Sequence, residues 1–271
     1  MIQGSTELVA IVGSPVAQVK SPENFNRWFA DSQHNVAMLA IDLAPNALQN
    51  FIETLRGWHN LRGCVVTVPY KQLLAGRLDS VSERSAALGS VNVIRREADG
   101  RLVGDIVDGE GFLNAARKHA FNPQNKQALV IGTGGVGSAI AYSLCQAGVS
   151  HLAISDLSQE RVEVLGELLR EAFPDIVISA NPASLEHFNL IVNASPVGMG
   201  AADDGPMPLS LALMQTLQTA TLVADVVTSP AVTPFLAFAQ RQGCAIQTGP
   251  EMALAQLGNL GHFMGVTPLE I

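Results

Sequence analysis

The sequence has few basic residues for its length of 271. Lysine and arginine total 16 against 24 aspartates and glutamates, the formal net charge is −8, and no basic block exceeds two residues. A nucleic-acid-binding surface needs concentrated positive charge to neutralise phosphates. We therefore expect no nucleic-acid partner.

Long hydrophobic runs are also missing. Apolar runs such as Ala128–Ile131 and Leu222–Ala224 are a few residues long, whereas a membrane-spanning helix needs about 20 apolar residues. The first residues, Met1–Gly4, carry neither the basic region nor the apolar core of a signal peptide. These absences predict a cytoplasmic protein without a membrane partner.

Cysteine is scarce, and the three cysteines lie far apart. Cys64, Cys145 and Cys244 form no C-x-x-C pair, a pattern typical of free thiols in a reducing compartment. None of the six histidines forms an H-x-x-x-H pair, and no G-x-S-x-G segment occurs. The sequence therefore supports neither a metal site nor a serine-hydrolase nucleophile.

Apolar residues are abundant, at 48% against 15% charged, which is typical of a compact folded core. Strand and helix patterns alternate over the first hundred residues and predict a mostly parallel α/β sheet. The predicted strands are Leu8–Val12, Val36–Leu43, Cys64–Val68 and a hairpin of Val91–Ile94 with Leu102–Val103 around Asp99-Gly100. The predicted helices are Pro22–Ala30, with Ser21 as N-cap, and Asn46–Leu55.

A second unit begins near residue 110. Its predicted helices are Gly111–His119, Gly137–Gln146, Gln159–Glu171, Val232–Gln242 and Pro250–Phe263. Its predicted strands are Ala128–Ile131, His151–Ser155, Ile176–Ile178, Leu190–Val192 and Leu222–Val227. The order strand, glycine-rich turn, helix, strand, helix, strand is typical of one half of a doubly wound nucleotide-binding fold.

The sharpest local signal is a G-x-G-x-x-G pattern. Gly132, Gly134 and Gly137 follow an apolar strand and open a helix, and Gly135 and Val136 lie between the last two. In a dinucleotide site the first glycine makes the turn and the second admits the pyrophosphate. The third lets helix and strand pack closely. An ordinary structural turn is the alternative for such a pattern.

Asp156 ends the next predicted strand, 19 residues after Gly137. A carboxylate there can accept hydrogen bonds from the ribose hydroxyls and repels a 2′-phosphate. The nearest downstream cation is Arg161. NAD is therefore favoured over NADP as cofactor, although Asp156 is also a candidate N-cap for the helix starting near Ser158.

Two residues in the first part of the chain are candidates for proton transfer. Lys71 lies just beyond a buried strand that Pro69 ends, and Asp108 lies where the two units join. The carboxyl ends of parallel strands are where open α/β sheets form their clefts. From these residues alone, an ordinary surface lysine near a turn is the commoner case.

Together these segments resemble the shikimate/quinate dehydrogenase family over nearly the whole chain. The matching pieces are Gly13-Ser14-Pro15, Ser21-Pro22, Gly63–Lys71, Gly89–Asn92, Gly104–Gly111, the glycine turn, Asn193–Met199 and Gly249–Gln256. The resemblance implies an N-terminal α/β substrate domain (1–108, with a C-terminal helix at about 245–271). It also implies a Rossmann-type dinucleotide-binding domain (109–244) and a cleft between the two.

The resemblance also implies roles for individual residues. Lys71 and Asp108 match the pair that acts on a ring hydroxyl while hydride passes to the nicotinamide. The positions that match substrate contacts are Ser21, Thr67, Asn92 and Gln256. Those that match the segment beside the cofactor are Asn193, Ser195, Gly198 and Met199. For Met199, a role as a loop anchor only is an equal alternative.

Several positions depart from the family pattern. A carboxylate-binding serine is replaced by Val19, an asparagine by Val65, an Asn-Thr pair by Ile106-Val107, and a tyrosine by Thr228. Each lost polar partner costs about 1–3 kcal/mol of substrate discrimination. We therefore expect a changed or relaxed substrate preference. Lys20 either pairs with a substrate carboxylate or is a solvated loop lysine.

Two classes of function stay open at this point. The first is an NAD(P)-dependent dehydrogenase for a small-molecule cyclic hydroxy acid of the shikimate or quinate type. The second is a non-catalytic protein that senses a metabolite or dinucleotide on the same scaffold. Retention of both Lys71 and Asp108 favours the enzyme. Either class is compatible with a monomer or a homodimer.

Overall fold

The computed structural model describes residues 2–202 and 205–271. They form two compact units, one comprising the residues up to Val107 together with Gln256–Ile271, the other Asp108–Ala255. Residues 245–255, predicted to belong to the first domain, belong instead to the second unit, because Ala245–Gln247 pairs with Leu222–Asp225 in the sheet of that unit.

The first unit is an α/β sheet with helices on both faces. Its strands are β1 (Glu7–Gly13), β2 (Val36–Asp42), β3 (Leu61–Val66), β4 (Ser80–Val81), β5 (Val93–Arg96) and β6 (Leu102–Asp105). Its helices are α1 (Ser21–Asp31), α2 (Leu48–Gly57, after a 3₁₀ turn at Pro45–Ala47), α3 (Lys71–Ala75), α4 (Glu83–Leu88) and, from the end of the chain, α11 (Leu257–Phe263). The strand order is β2-β1-β3-β5-β6-β4.

Pairing in this sheet is parallel except around the predicted hairpin. β1 runs parallel to β2 and β3, while β5 is antiparallel to both β3 and β6. Alternate residues of β1 enter two separate cores, because successive side chains point to opposite faces. Ala10 and Val12 pack in the core that α2 covers, and Val9 and Ile11 pack in the core of α1 and α11. Burial on both faces explains the continuous apolar runs in the sequence.

The second unit has a fully parallel sheet. Its strands are β7 (Gln127–Ile131), β8 (His151–Ser155), β9 (Val177–Ala180), β10 (Leu190–Asn193), β11 (Leu222–Asp225) and β12 (Ala245–Gln247). Its helices are α5 (Asp108–Lys118), α6 (Gly135–Gln146), α7 (Gln159–Ala172), α8 (Leu211–Met214), α9 (Pro234–Arg241) and α10 (Gly249–Ala255).

The strand order of this sheet is β12-β11-β10-β7-β8-β9. Counted from β7, this is the 3-2-1-4-5-6 order of the Rossmann fold. The order reverses between β7 and β10, and ligands bind such sheets outside the carboxyl ends of the strands at this switch point. The glycine turn and the segment after Asn193 both leave the sheet there.

Two local expectations are wrong. Ser21 is the first residue of α1, and Lys20 occupies the N-cap position without a side-chain cap hydrogen bond. The single helix predicted over Pro250–Phe263 is divided into α10 and α11 at Gln256. The apolar spacing on either side of this break continues at helical period, so it contains no stop signal.

None of the helices among the described residues is long and apolar enough to cross a bilayer. The same part of the chain contains no cluster of three or more histidine, cysteine, aspartate or glutamate side chains able to hold a metal ion.

Candidate functional site

The glycine turn, residues 132–137, needs glycine at two positions for reasons internal to the protein. Gly132 has φ +96°, and a Cβ there would lie 2.8 Å from the Ser195 nitrogen. A Cβ on Gly137 would lie 1.8 Å from the Gly132 carbonyl oxygen. Gly134 differs, since nothing lies within 4 Å of its Cβ position. Its backbone is therefore open to a ligand.

Helix α6 starts at this turn with donors suited to an anion. Gly134 occupies the N-cap position without a side-chain cap, and the first turn contains no acidic residue. The N–H groups of Gly135, Val136 and Gly137 belong to the first helical turn, where intrahelical acceptors are missing. Because the helix dipole adds partial positive charge, this end favours a phosphate group.

Asp156, directly after β8, is hydrogen-bonded to the glycine turn. Its Oδ2 accepts from the Thr133 backbone N–H at 2.7 Å and from the Thr133 hydroxyl at 2.9 Å, and its Oδ1 accepts from Ser158 N–H at 2.9 Å. Partial burial raises the pKa of Asp156, but these hydrogen bonds and the charge of Arg161 outweigh it, so the pKa lies below the usual value. The carboxylate is therefore ionised at neutral pH.

The alternative that Asp156 is a helix cap is wrong. Helix α7 begins at Gln159, and the Ser158 hydroxyl caps it by accepting from Arg161 N–H. Thr133, which the sequence reasoning did not single out, is the partner that fixes Asp156. The variable position after the first glycine carries no signal that would have predicted this contact.

The segment 193–199 begins with an asparagine whose polar atoms are held inside the protein. Asn193 is fully buried. Its Nδ2 donates to both carboxylate oxygens of Asp225 at 3.1 Å and to the Val197 carbonyl at 3.0 Å. Its Oδ1 accepts from the Ser195 N–H at 3.1 Å and the Ser195 hydroxyl at 2.6 Å. The hydrogen bonds of Asn193 and Ser195 thus fix the backbone conformation of this segment.

Two further residues complete this network and were missed by the sequence reasoning. Asp225 ends β11 directly beside Asn193, which ends β10. Thr233, the N-cap of α9, donates its hydroxyl to Asp225 at 2.7 Å. Polar residues ending two neighbouring apolar strands were the available signal. We call Asn193, Ser195, Asp225 and Thr233 the Asp225 network.

The far end of the segment carries the other two predicted residues. Gly198 has φ +93°, a conformation that favours glycine, and Met199 is 64% exposed. An exposed, flexible methionine beside the switch point is available to contact an apolar ring surface.

In the first unit, Lys71 is fixed through its backbone. It is the first residue of α3, and its carbonyl accepts the Val91 N–H at 3.0 Å. The preceding side chain, Tyr70, is completely buried and donates its hydroxyl to the Leu43 carbonyl. The backbone that carries the half-buried Lys71 side chain is therefore held in place by these contacts.

Asn92 joins the ends of two strands. Its carbonyl accepts from Val66 N–H at 2.7 Å, and its N–H donates to the Asp105 carbonyl at 2.8 Å. Its Oδ1 accepts from Val107 N–H at 2.8 Å. Val107 directly precedes Asp108, so Asn92 anchors the chain that leads to the predicted catalytic carboxylate. Asp108 itself is buried and begins α5 in the second unit.

A partly buried ion pair between Arg84 and Asp105 supports the same chain segment. Asp105 accepts from Arg84 at 2.6 Å and 2.8 Å, from Ile106 N–H at 2.7 Å, and from the Ser82 hydroxyl. Burial alone would raise the pKa of Asp105, but the bonds from Arg84 and Ser82 outweigh it, so the pKa is lowered. Sequence reasoning did not identify this pair, because 21 residues separate its members.

The remaining predicted substrate residues lie at the starts of helices or the end of a strand. Lys20 is exposed and precedes α1, while Ser21 is partly buried at its first position. Thr67 follows β3 and donates its N–H to the Val12 carbonyl at 2.9 Å. Gln256 is the N-cap residue of α11, and its carbonyl accepts from Leu260 N–H at 3.0 Å.

The positions that depart from the family pattern are largely apolar core. Val65 and Val107 lie in the core of α1 and α11, and Val19 packs against it. Ile106 is 2% exposed. Thr228 is partly buried in the second unit. Three of the changed positions in the first unit thus join one continuous apolar cluster.

Comparison with known proteins gives consistent matches along the chain. Residues 11–94 match the family model of the shikimate dehydrogenase substrate binding domain. The shikimate dehydrogenase (NADP+) of Rhodospirillum rubrum is 34% identical, over 99% of this chain and 95% of that protein.

Solved structures agree. The chain is similar to shikimate 5-dehydrogenase from Listeria monocytogenes in complex with shikimate and NAD, with a TM-score of 0.88 and 26% identity over 98% of this chain and 94% of that one. It is also similar to quinate dehydrogenase from Corynebacterium glutamicum in complex with NAD, with a TM-score of 0.84 and 25% identity over 96% and 93%.

Proposed function

Because the chain belongs to the shikimate dehydrogenase family, we propose that it transfers hydride between a nicotinamide dinucleotide and a secondary alcohol on a cyclic hydroxy acid. The chain is an oxidoreductase. The observation that carries the finer proposal is that the similarity extends over 99% of the chain and so includes both units. We assign substrate binding to the first unit and dinucleotide binding to the second.

The glycine turn and the start of α6 would hold the pyrophosphate. Gly134 supplies open backbone, and the first-turn N–H groups of α6 supply donors. Asp156 would accept hydrogen bonds from the ribose hydroxyls. Since it is ionised, and Leu157 and Ser158 follow it in place of a cation, we propose that NAD is preferred to NADP.

When bound, the nicotinamide ring supplies the hydride acceptor or donor. Lys71 would take the proton of the substrate hydroxyl, directly or through one water, and return it in the reverse direction. Asp108 would orient the lysine and share the proton. The rigid backbone around Lys71, fixed by Val91 and Tyr70, supports this role, since proton transfer needs positioning within hydrogen-bond distance.

We also propose that the substrate preference has changed. The apolar cluster that contains Val19, Val65 and Val107 offers no hydroxyl or amide where relatives of this pattern have polar side chains. A substrate with fewer polar groups, or one whose carboxylate is bound by Lys20 instead, fits a site that lacks these polar side chains.

The test is an initial-rate assay with NAD+ and NADP+ on shikimate, quinate and analogues lacking one hydroxyl or the carboxylate. We expect turnover of at least one compound, faster with NAD+. V19S should raise kcat/KM for carboxylate substrates about tenfold if the lost serine matters, and K20A should lower it if Lys20 pairs with the carboxylate. Dinucleotide binding without turnover of any compound would contradict the proposal and support a sensor.

A further inference from the structure

We propose that Asp225 and Thr233 are positioning residues for the dinucleotide: they hold segment 193–199 against the glycine turn. This inference rests on the proposed function, because it assumes that the turn binds a nicotinamide dinucleotide. Neither side chain needs to touch the cofactor.

The first step is the set of donors that converge on Asp225. The side chain is 1% exposed. Its carboxylate accepts from Asn193 Nδ2, from Val227 N–H at 2.9 Å and from the Thr233 hydroxyl at 2.7 Å. These donors come from the end of β10, the chain after β11 and the start of α9. Only a carboxylate has acceptor sites on two oxygens for three separate segments.

The second step leads from Asn193 to the glycine turn. Asn193 Oδ1 holds Ser195 through both its N–H and its hydroxyl. Ala194 N–H donates to the Ile131 carbonyl at 2.7 Å, directly before the turn. A Cβ on Gly132 would lie 2.8 Å from the Ser195 nitrogen, and a Cβ on Gly137 would lie 3.2 Å from the Ala194 Cβ. A displacement of Asn193 would therefore move Ala194 and Ser195, which pack against the glycine turn.

A second connection runs through Thr233. Its Cβ would be 3.3 Å from a Cβ on Gly198, so the threonine packs against the far end of the segment. Its hydroxyl also accepts from Leu236 N–H, which caps α9. Thr233 thus joins Asp225, Gly198 and α9 through one side chain.

The position of Asp225 is unfavourable for a carboxylate, because the side chain is buried among uncharged groups. Burial raises the pKa of Asp225, and its hydrogen bonds offset this only in part. The described donors to the carboxylate are uncharged amides and a hydroxyl. A buried carboxylate without a cation partner is typical of a place where a precise geometry is maintained at a cost in stability.

The experiment measures NADH affinity by titration calorimetry, with folding checked by circular dichroism, for D225N, T233V, T233S and a control. The control is T221V. Thr221 lies just before β11 at the opposite end of the strand, is equally buried, and donates one hydroxyl hydrogen bond, to the Phe188 carbonyl at 2.7 Å. A merely structural effect would therefore appear in T221V as well.

We expect D225N and T233V to weaken NADH binding about tenfold, because a smaller fraction of the protein has the segment in place. KM for the dinucleotide should rise by the same factor while KM for the substrate stays within about twofold. T233S, which keeps the hydroxyl, and T221V should bind as the wild type does. T233V carries the test if D225N does not fold.

Wild-type affinity in T233V, or equal losses in T221V and T233V, would overturn the inference while leaving the proposed function intact. A wild-type protein that binds neither NAD(H) nor NADP(H) would overturn both. Since NADH affinity is measured by calorimetry without a substrate, failure to find the natural substrate has no bearing on that comparison and prevents only the KM measurements.

Discussion

Two aspartates at the ends of strands have opposite pKa shifts, and their partners explain the difference. Asp105 and Asp225 are both buried. The guanidinium of Arg84 lowers the pKa of Asp105 despite burial, whereas Asp225 faces uncharged donors and its pKa is raised by burial. A sequence shows that an aspartate ends an apolar strand but not which donor it meets. The same residue type therefore gives a stable anchor in one unit and a costly one in the other.

The Asp105 ion pair predicts a pH-dependent loss of stability. The folded pKa of Asp105 is lower than its unfolded value of about 3.9, so the pair stabilises above that pH, and the contribution is lost as the pH falls through the folded pKa. D105N should cost about 1–3 kcal/mol in urea unfolding at pH 7, since the partly buried guanidinium of Arg84 loses its charged acceptor.

The difference between D105N and wild type should begin to narrow below about pH 4, where the Asp105 carboxyl of the unfolded chain is protonated. It should be smallest below the lower folded pKa, where the native carboxyl is protonated too. D99N serves as the control, since Asp99 pairs with Arg101 on the exposed surface and should change stability little. A pH-independent difference between D105N and wild type would contradict the assignment of charge to this contact.

The ionised carboxylate of Asp156 leads us to expect a preference for NAD over NADP. D156N should weaken NAD binding about tenfold, because the ribose hydroxyls lose a charged acceptor, and should weaken NADP binding less, because repulsion of the 2′-phosphate is removed. The measurement is the ratio of the two dissociation constants, with D175N as an exposed control in the same unit. An unchanged ratio would remove Asp156 from cofactor selection.

At the scale of elements, buried strands were the easiest to predict. The central strands of both sheets are buried, so their sequences are mostly continuous apolar runs. The His151–Ser155 strand was predicted to the residue. The break at Gln256 was not predicted, because it marks a change from one unit to the other without interrupting the apolar spacing. The Asp225 network was missed because 32 residues separate Asn193 from Asp225, and only strand register brings them together.

The glycine turn predicts two different results for one type of substitution. G134A should leave the unfolding free energy within about 0.5 kcal/mol of wild type, since nothing lies within 4 Å of its Cβ position. It should nevertheless weaken dinucleotide binding at least tenfold, because the new methyl group occupies the approach to the backbone.

G137A should lose both affinity and about 1–3 kcal/mol of stability, because its Cβ collides with the Gly132 carbonyl. G57A, in equally open space at the end of α2, is the neutral control. Urea unfolding and calorimetric titration check both variants. Normal dinucleotide affinity in G134A would show that the turn is structural only.

For the molecule as a whole, the sequence offered candidate residues for the chemistry but not the contacts that hold them in place. Lys71 and Asp108 were singled out by position and by resemblance, and they belong to different units. Their cooperation stays a prediction. The residues that support each side are Tyr70 and Asn92 in the first unit and Asp225 and Thr233 in the second. Each makes a hydrogen bond to a residue from another element or loop. The sequence shows the polar residues at the strand ends but not the partners that they meet.

The most direct test of the whole account is the K71A variant, assayed for turnover and for NADH affinity in the same preparation. We expect turnover to fall about 10²–10⁴-fold, the range for loss of a general acid or base, with NADH affinity unchanged. R77A, which removes an exposed cation soon after the same helix, should retain wild-type turnover. Full turnover in K71A would contradict the assignment of Lys71 as the residue that transfers the proton.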